Sequence, residues 1–377
     1  MKVLIVGAGL YGCVMANMLK NVNIECKIID KRNHIAGNIY TKKYNDIDIH
    51  MYGPHIFHTS NNQIIQFITQ FGKFENFNAN MLATDGINLY HLPFNMTTFC
   101  EFFGYATPNQ IKEIINNEIE QSGLKNKEPV NLEEKAIKLV GTTIYNKLIK
   151  NYTEKQWNKS CKELSPDIIT RLPLRFIFDN NYYYDSFVAI PKDGYTSLIE
   201  NMIKDIPVEL NVNFLNNIGK YISEYTHIIY CGCIDELLEY QYGELEWRSL
   251  SFEHYEQLFD DTIFPCFQLN DITKENKWTR TINHLFFKPS LVNNYKGNII
   301  LTKEYPQNWK RGKECYYPIN NEFNNNLYNK YIKLLKSKYP NIIPGGRLGK
   351  YKYFDMDVTI LEAMNDFKLI FNKNGTS

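Results

Sequence analysis

Residues 2–30 read KVLIVGAGLYGCVMANMLKNVNIECKIID, and the order of pieces in that stretch decides the fold. Lys2 to Val6 is too densely apolar for a half-exposed strand and suits a parallel one covered on both faces. Gly7-Ala8-Gly9-Leu10-Tyr11-Gly12 follows, and then Val14, Met15, Met18 and Leu19 recur at helical spacing. A second apolar run over 24–29 closes on Asp30. Strand, glycine turn, helix, strand and acid in this order predict a dinucleotide-binding βαβ unit. Gly7 permits the tight turn, Gly9 lets backbone approach a pyrophosphate, and Gly12 lets the helix pack on the strand. The helix N-terminus then offers free N–H groups to the anion, and Asp30 is placed to accept from a ribose 2′-hydroxyl. The motif leaves NAD and FAD both open. The continuation Asp30-Lys31-Arg32-Asn33-His34-Ile35-Ala36-Gly37-Asn38 favours FAD, because a basic residue after the acid is followed by a glycine-containing loop rather than a helix.

The whole chain is 377 residues, enough for two to three domains. Its hydrophobic share is 44% and its charged share 22%, which supports a large core. Lys and Arg number 42 against 41 Asp and Glu, for a net charge of +1. That balance argues against a protein that coats nucleic acid or an anionic membrane. No apolar run approaches the ~20 residues of a membrane span, and a cytoplasmic location is expected. Eight cysteines are scattered without a CxxC pair, so reduced thiols are expected, with Cys231-Gly232-Cys233 closing a strand rather than binding metal.

Further along, Thr107-Pro108 starts a helix whose Ile111, Ile114, Ile115 and Ile119 share a face. Asn131 with Glu134 predicts a capping box, and Gly141 the matching stop. The segments 172–184 and 249–304, rich in aromatic and β-branched residues, predict strands of a second sheet. Short strands are expected over 225–230 and 298–302. A helix is expected over 326–338, a turn at Gly345-Gly346, and a last helix after Asp355. His50, His55 and His58 cluster, yet their spacing does not suit a helical zinc site and no Cys is near.

With these residues in view, the chain closely resembles the bacterial-type UDP-galactopyranose mutases. The matching stretches are VGAGLYG, KRNHIAGNIY, YGPHIFHT, LPFNM, NYTEKQWNKS, RLPLRFIFDNNYY, IPKDGYTSLIE, TKEYP, CYYPIN and GGRLGKYKYFDMD, in family order from the first strand to about residue 358. The resemblance implies an α/β fold: a Rossmann-like FAD-binding domain with an inserted helical bundle and a twisted antiparallel β-sheet. The expected division is 1–78, 188–238 and 312–377 for FAD binding, 96–168 for the helices, and 79–95, 169–187 and 239–311 for the sheet. It implies an isomerase that interconverts UDP-galactopyranose and UDP-galactofuranose without net redox. Reduced FAD attacks the anomeric carbon through N5, displaces UDP, and returns it after the sugar has reclosed. The product serves cell-surface or capsular glycans.

By the same resemblance, Arg171 and Arg280 bind the diphosphate, and with His58 they are the expected catalytic residues. Tyr152, Thr153 and Trp157 take the uridine, Tyr182, Tyr317 and Tyr353 lie by the diphosphate, and Asn270 is substrate-side. Gly7, Gly9, Gly12, Asp30, Lys31, Arg32, Asn38, His55, His58, Val208, Gly232, Gly346, Arg347, Asp355 and Met356 are expected around the flavin, with no metal. Glu304 is expected to orient an arginine. Ala36 stands where the family has Gly, and Pro54 where it has a small residue. The segment 160–170 aligns with a substrate lid. Expected partners are the UDP-sugars, an external reductant and a second copy of the chain, with no nucleic acid. Rival readings are an FAD oxidoreductase of the amine-oxidase type, a mutase acting on UDP-N-acetylgalactosamine, and a non-catalytic sugar-nucleotide binder.

Overall fold

A computed structural model describes residues 1–170, 172–260 and 264–371. The chain forms two compact units. The first joins Met1–Asn76, Asp185–Ser249 and Trp309–Ser377, and the second joins Phe77–Tyr184 and Leu250–Asn308.

The first unit is built on a parallel five-stranded sheet. Its order is Val208–Glu209, Glu25–Ile29, Lys2–Val6, His227–Tyr230, Ile342–Pro344. The expected strands at 24–29 and 225–230 are thus present, each slightly shorter. Alternation explains why the opening run is apolar at every position. Val3 and Ile5 face one core with the helices Leu10–Asn21, Gly194–Met202 and Met356–Phe371, whereas Leu4 and Val6 face another with Glu322–Lys338. Val3, Leu4 and Ile5 are fully buried, each worth roughly 1.5–3 kcal/mol relative to exposure. Beside this sheet, Phe57–Thr59 and Phe74–Asn76 flank Phe187–Pro191 in an antiparallel trio.

The second unit places helices against a sheet. Neighbouring strands run Trp247–Leu258, Asn298–Asn308, Arg280–Asn283, Gln268–Asp271, Met81–Thr84, Leu89–Leu92, the first continuing from the other unit along the chain. Gln268–Asp271 pairs Met81–Thr84 in parallel, whereas Arg280–Asn283 runs antiparallel to both Gln268–Asp271 and Asn298–Asn308, and Leu89–Leu92 runs antiparallel to Met81–Thr84. Ala83 of this sheet and Ile272, just past the strand Gln268–Asp271, share one core with Ile111, Ala136, Val140 and Ile144 of the helices. The helical and sheet segments therefore lie within one compact unit, where the sequence reading separates them.

The helix signals hold with adjustments. Thr107 and Gln110 form a reciprocal capping box with Pro108 at the first position. Asn131 caps the Leu132–Ile144 helix, but Glu134 accepts from Val130 N–H rather than from Asn131. Gly141, with φ 81°, breaks that helix as expected, and the helix then resumes. The carboxylate of Glu118 accepts from Thr143 N–H at 3.1 Å and occupies the space a side chain at Gly141 would need. The expectation of strands over 172–184 is wrong for the described residues. Only an isolated bridge from Phe94 to Leu174 forms there. Pro173 lacks a ladder donor, and the buried Arg175 takes the carbonyl groups of Asp179 and Asn181, so the segment folds on itself.

Candidate active site

In the first unit the glycine turn sits at the carboxyl end of the central strand. Gly7 has φ +118°, and a Cβ there would lie 2.9 Å from the Cβ of Cys231. A Cβ on Gly12 would lie 2.1 Å from the Gly7 carbonyl oxygen, so only glycine lets the helix pack this closely. Gly9 is the N-cap of the Leu10–Asn21 helix, which has no side-chain cap and no acidic residue in its first turn. That leaves the end of a twelve-residue helix suited to an anion, and the cradle fits a dinucleotide pyrophosphate. Asp30 fastens the cradle: its carboxylate accepts from Ala8 N–H at 2.7 Å and from Arg32 N–H at 2.8 Å.

The loop after Asp30 closes back on the turn. Gly9 bridges Ala36, and Ala36 itself takes φ 70° while fully buried. Arg32 is held by Glu314 at 2.6 Å, by the Asn38 side-chain oxygen at 3.0 Å, and over the Tyr52 ring at 4.7 Å. Lys31 points outward as an exposed residue. Val208 pairs with Ile28 at the sheet edge, and Gly232 follows the strand His227–Tyr230. Arg347 donates to the Tyr316 carbonyl at 2.7 Å and lies 4.6 Å over the Tyr353 ring, which tilts toward Tyr317 at 5.8 Å. Gly346 has φ +66°, and Asp355 and Met356 open the Met356–Phe371 helix. Burial pushes the Tyr353 hydroxyl's pKa up, so it stays a proton donor.

The three imidazoles do separate jobs. His50 Nδ1 accepts from His55 N–H at 3.1 Å, and His55 Nδ1 meets the Gly53 carbonyl at 2.8 Å. His58 Nδ1 lies 2.8 Å from Asp185. Among the described residues no group of three or more His, Cys, Asp or Glu stands as a metal site.

In the second unit, register does what sequence spacing cannot show. Asn270 pairs with Arg280 across one strand boundary, and Arg280 with Glu304 across the next. Opposed residues share a sheet face, so the three polar side chains form a row. Arg280 lies 2.8 Å from Glu304, whose side chain is fully buried. Tyr152, Thr153 and Trp157 lie on the Lys150–Trp157 helix and are half-buried. Asn151 and Lys155, one turn apart, dock that helix: Lys155 reaches Asp271 at 3.0 Å and the Thr273 carbonyl at 3.0 Å, and Asn151 reaches the Ile272 carbonyl at 3.4 Å. Tyr182 is carried by the Arg175-clamped segment, which Asn95 of LPFNM also holds through the Asp179 carbonyl at 2.9 Å. Arg171 lies outside the described residues. The expected flavin-side residues, with Tyr317 and Tyr353, thus gather in the first unit, and the remaining described substrate-side residues in the second. The sequence reading missed Glu314, Tyr52, Asp185, Asn95, Arg175 and Lys155. The quoted YGPHIFHT, LPFNM, NYTEKQWNKS and RLPLRFIFDNNYY stretches already contain four of them, Tyr52, Asn95, Lys155 and Arg175.

A family described as GLF: UDP-galactopyranose mutase matches residues 147–353, and an NAD(P)-binding Rossmann-like domain matches 5–71. A dTDP-fucopyranose mutase of Escherichia coli is 34% identical over 99% of both chains. A probable UDP-galactopyranose mutase of Klebsiella pneumoniae is 35% identical over 96% of this chain and 93% of its own. Among solved structures, a reduced UDP-galactopyranose mutase superposes with TM-score 0.74 at 13% identity, covering 98% of this chain and 94% of that one. An oxidoreductase from Methanosarcina mazei superposes at 0.59 and 11% identity, covering 98% and 100%, which is likeness of fold alone. No described helix is long and apolar enough to cross a membrane.

Proposed function

The chain belongs to the UDP-galactopyranose mutase family of flavoenzymes, and on that premise we propose that it interconverts UDP-galactopyranose and UDP-galactofuranose on reduced FAD without net redox. The observation that carries this reading is the Asn270–Arg280–Glu304 row. A guanidinium already paired to a buried carboxylate is fixed before ligand arrives, so it can meet the charge that develops on a departing diphosphate with little reorganisation. When bound, the reduced cofactor supplies an electron-rich nucleophile to the sugar. The Gly7–Gly12 turn and the uncapped helix hold its pyrophosphate, and Asp30, Arg32 and Asn38 shape the adenosine side. His55, His58, Arg347, Asp355 and Met356 stand by the flavin.

Arg280 and Arg171 grip the diphosphate, which a planar fork does better than an ammonium. Tyr182, Tyr317 and Tyr353 donate hydroxyls to it without adding charge. Tyr152, Thr153 and Trp157 receive the base. The same premise extends to an external priming reductant, and to a cytoplasmic homodimer that feeds cell-surface or capsular glycans.

The Escherichia coli relative supports a second reading, in which the substrate is dTDP-fucopyranose. Dithionite-reduced protein offered UDP-galactofuranose and dTDP-fucofuranose separately decides between them. The first reading expects the UDP-sugar to equilibrate with the higher kcat/KM. The reverse order installs the second. Equal turnover with oxidised flavin, or one donor consumed per turnover, removes both.

A further inference from the structure

His58 lies in the Phe57–Thr59 strand, opposite Val188 of Phe187–Pro191. Asp185 comes just before that partner strand. One of its oxygens is 2.8 Å from His58 Nδ1, and the other accepts from the Ser60 hydroxyl at 2.9 Å. Ser60 in turn accepts from Ser186 N–H at 3.1 Å, so the carboxylate is itself held. The next residue is pinned as well, because the Thr59 hydroxyl donates to Asp357 at 3.0 Å in the first turn of the Met356–Phe371 helix. The His58 and Asp185 side chains are only 20% and 29% exposed.

An ionised carboxylate can only accept, so the proton between the two groups sits on Nδ1. In the neutral ring, Nε2 then carries the lone pair. We propose that Asp185 is the positioning residue of His58: it fixes the Nδ1–H tautomer and makes Nε2 the nitrogen that works on the ligand. The assignment rests on the proposed reading that His58 stands by the flavin. An imidazole so held accepts a hydrogen bond at Nε2, and if Nε2 takes up a proton, Asp185 offsets the charge. With the opposite tautomer the same nitrogen would donate and could accept nothing. The cluster lies wholly within the first unit, and no other role described for that unit uses Asp185.

The test is the tautomer itself, read from long-range ¹H–¹⁵N correlations in ¹⁵N-histidine protein, with His58→Gln assigning the signal. Wild type should show His58 as Nδ1–H. Asp185→Asn should shift it toward Nε2–H or a mixture and lower kcat about 10- to 100-fold, the loss seen when the carboxylate behind a metal-bound imidazole is removed. KM should change less, and Asp185→Glu should restore part of the loss. An Nε2–H ring in wild type overturns the proposal without any variant. So does an unchanged tautomer and kcat in an Asp185→Asn protein that keeps its flavin and melting temperature. Wild-type turnover in His58→Gln would remove the flavin-side reading of His58 instead, while the tautomer would still judge Asp185.

Discussion

Arg280 shows what a cation needs before it can serve a diphosphate. Glu304 beneath it is fully buried, and the guanidinium lies 2.8 Å from one of its carboxylate oxygens. What Glu304 supplies at that distance is a fixed negative charge. Glu304→Gln keeps its shape and removes that charge, and should cost about 1.5–3 kcal/mol of transition-state stabilisation, roughly a 10- to 100-fold fall in kcat/KM. A Glu304→Gln enzyme with wild-type kcat/KM would show that the row does not set the guanidinium. A second residue carries strain. Ala36 is buried at φ 70°, ψ −3°, a left-handed conformation that costs a non-glycine residue roughly 1–2 kcal/mol. Glycine relieves that strain but frees the unfolded chain by about 0.4–1 kcal/mol and gives up a buried methyl worth about 0.8 kcal/mol, so Ala36→Gly should hold stability to within about 0.5 kcal/mol in urea titrations, where a buried alanine without strain would lose more than about 1 kcal/mol. The neighbouring Gly37 behaves differently. A Cβ there would lie 2.8 Å from the Gly9 Cα, so Gly37→Ala should push the loop off the glycine turn and weaken flavin retention. An Ala36→Gly protein destabilised as much as an unstrained buried alanine predicts would refute the strain argument.

Elements differ in how far their own residues foretell them. The opening βαβ unit is legible because each signal is local: an apolar run, three glycines, a helical period and an acid within thirty residues. The cap at Asn131 is legible for the same reason. The Asn270–Arg280–Glu304 row is not, because strand register comes from pairing between segments far apart in the chain. The 172–184 segment misleads, since aromatic content suggests strand while Pro173 and the carbonyl groups held by Arg175 forbid a ladder. The strand Asn298–Asn308 carries a further consequence of pairing. Its Thr302 hydroxyl lies 2.7 Å from His284 Nε2 and 2.7 Å from His254 Nδ1. Burial, with His254 adding to it, lowers the pKa of His284 to about 3, against 6.5 for an exposed ring. Between those values the unfolded chain binds a proton that the fold excludes. Stability is therefore intact above about pH 6.5 and declines on acidification toward pH 3, by up to ~1.36 kcal/mol per pH unit from this group. His284→Gln should flatten that decline in urea midpoints measured from pH 7 to 4. An identical slope in the variant would assign the acid sensitivity elsewhere.

At the scale of the whole molecule, the chain leaves the first unit twice and returns twice. Its central strand Lys2–Val6 is flanked on one side by Glu25–Ile29, and on the other by His227–Tyr230, which in turn pairs Ile342–Pro344. Three distant segments thus supply one sheet. The Leu10–Asn21 helix shares its core with Ile360, Ala363, Met364 and Phe367 from the last helix. Those four are buried, and exposing Ile360, Met364 and Phe367 costs roughly 1.5–3 kcal/mol each, with Ala363 adding less. Ordinary domains have about 5–15 kcal/mol in hand, so losing this helix alone exhausts most of that margin. The glycine turn reads as a self-contained βαβ motif, yet it cannot stand without residues more than three hundred positions later. A chain cut after residue 308 keeps Gly7, Gly9, Gly12 and Asp30 but loses the edge strand, the last helix, Arg347 and the Glu314 partner of Arg32. It should purify without flavin and show rapid proteolysis of 1–76, whereas the second unit, whose segments all survive, should resist longer. A yellow, protease-resistant 1–308 chain would mean that the opening motif folds and binds by itself, and that the returning segments are accessory.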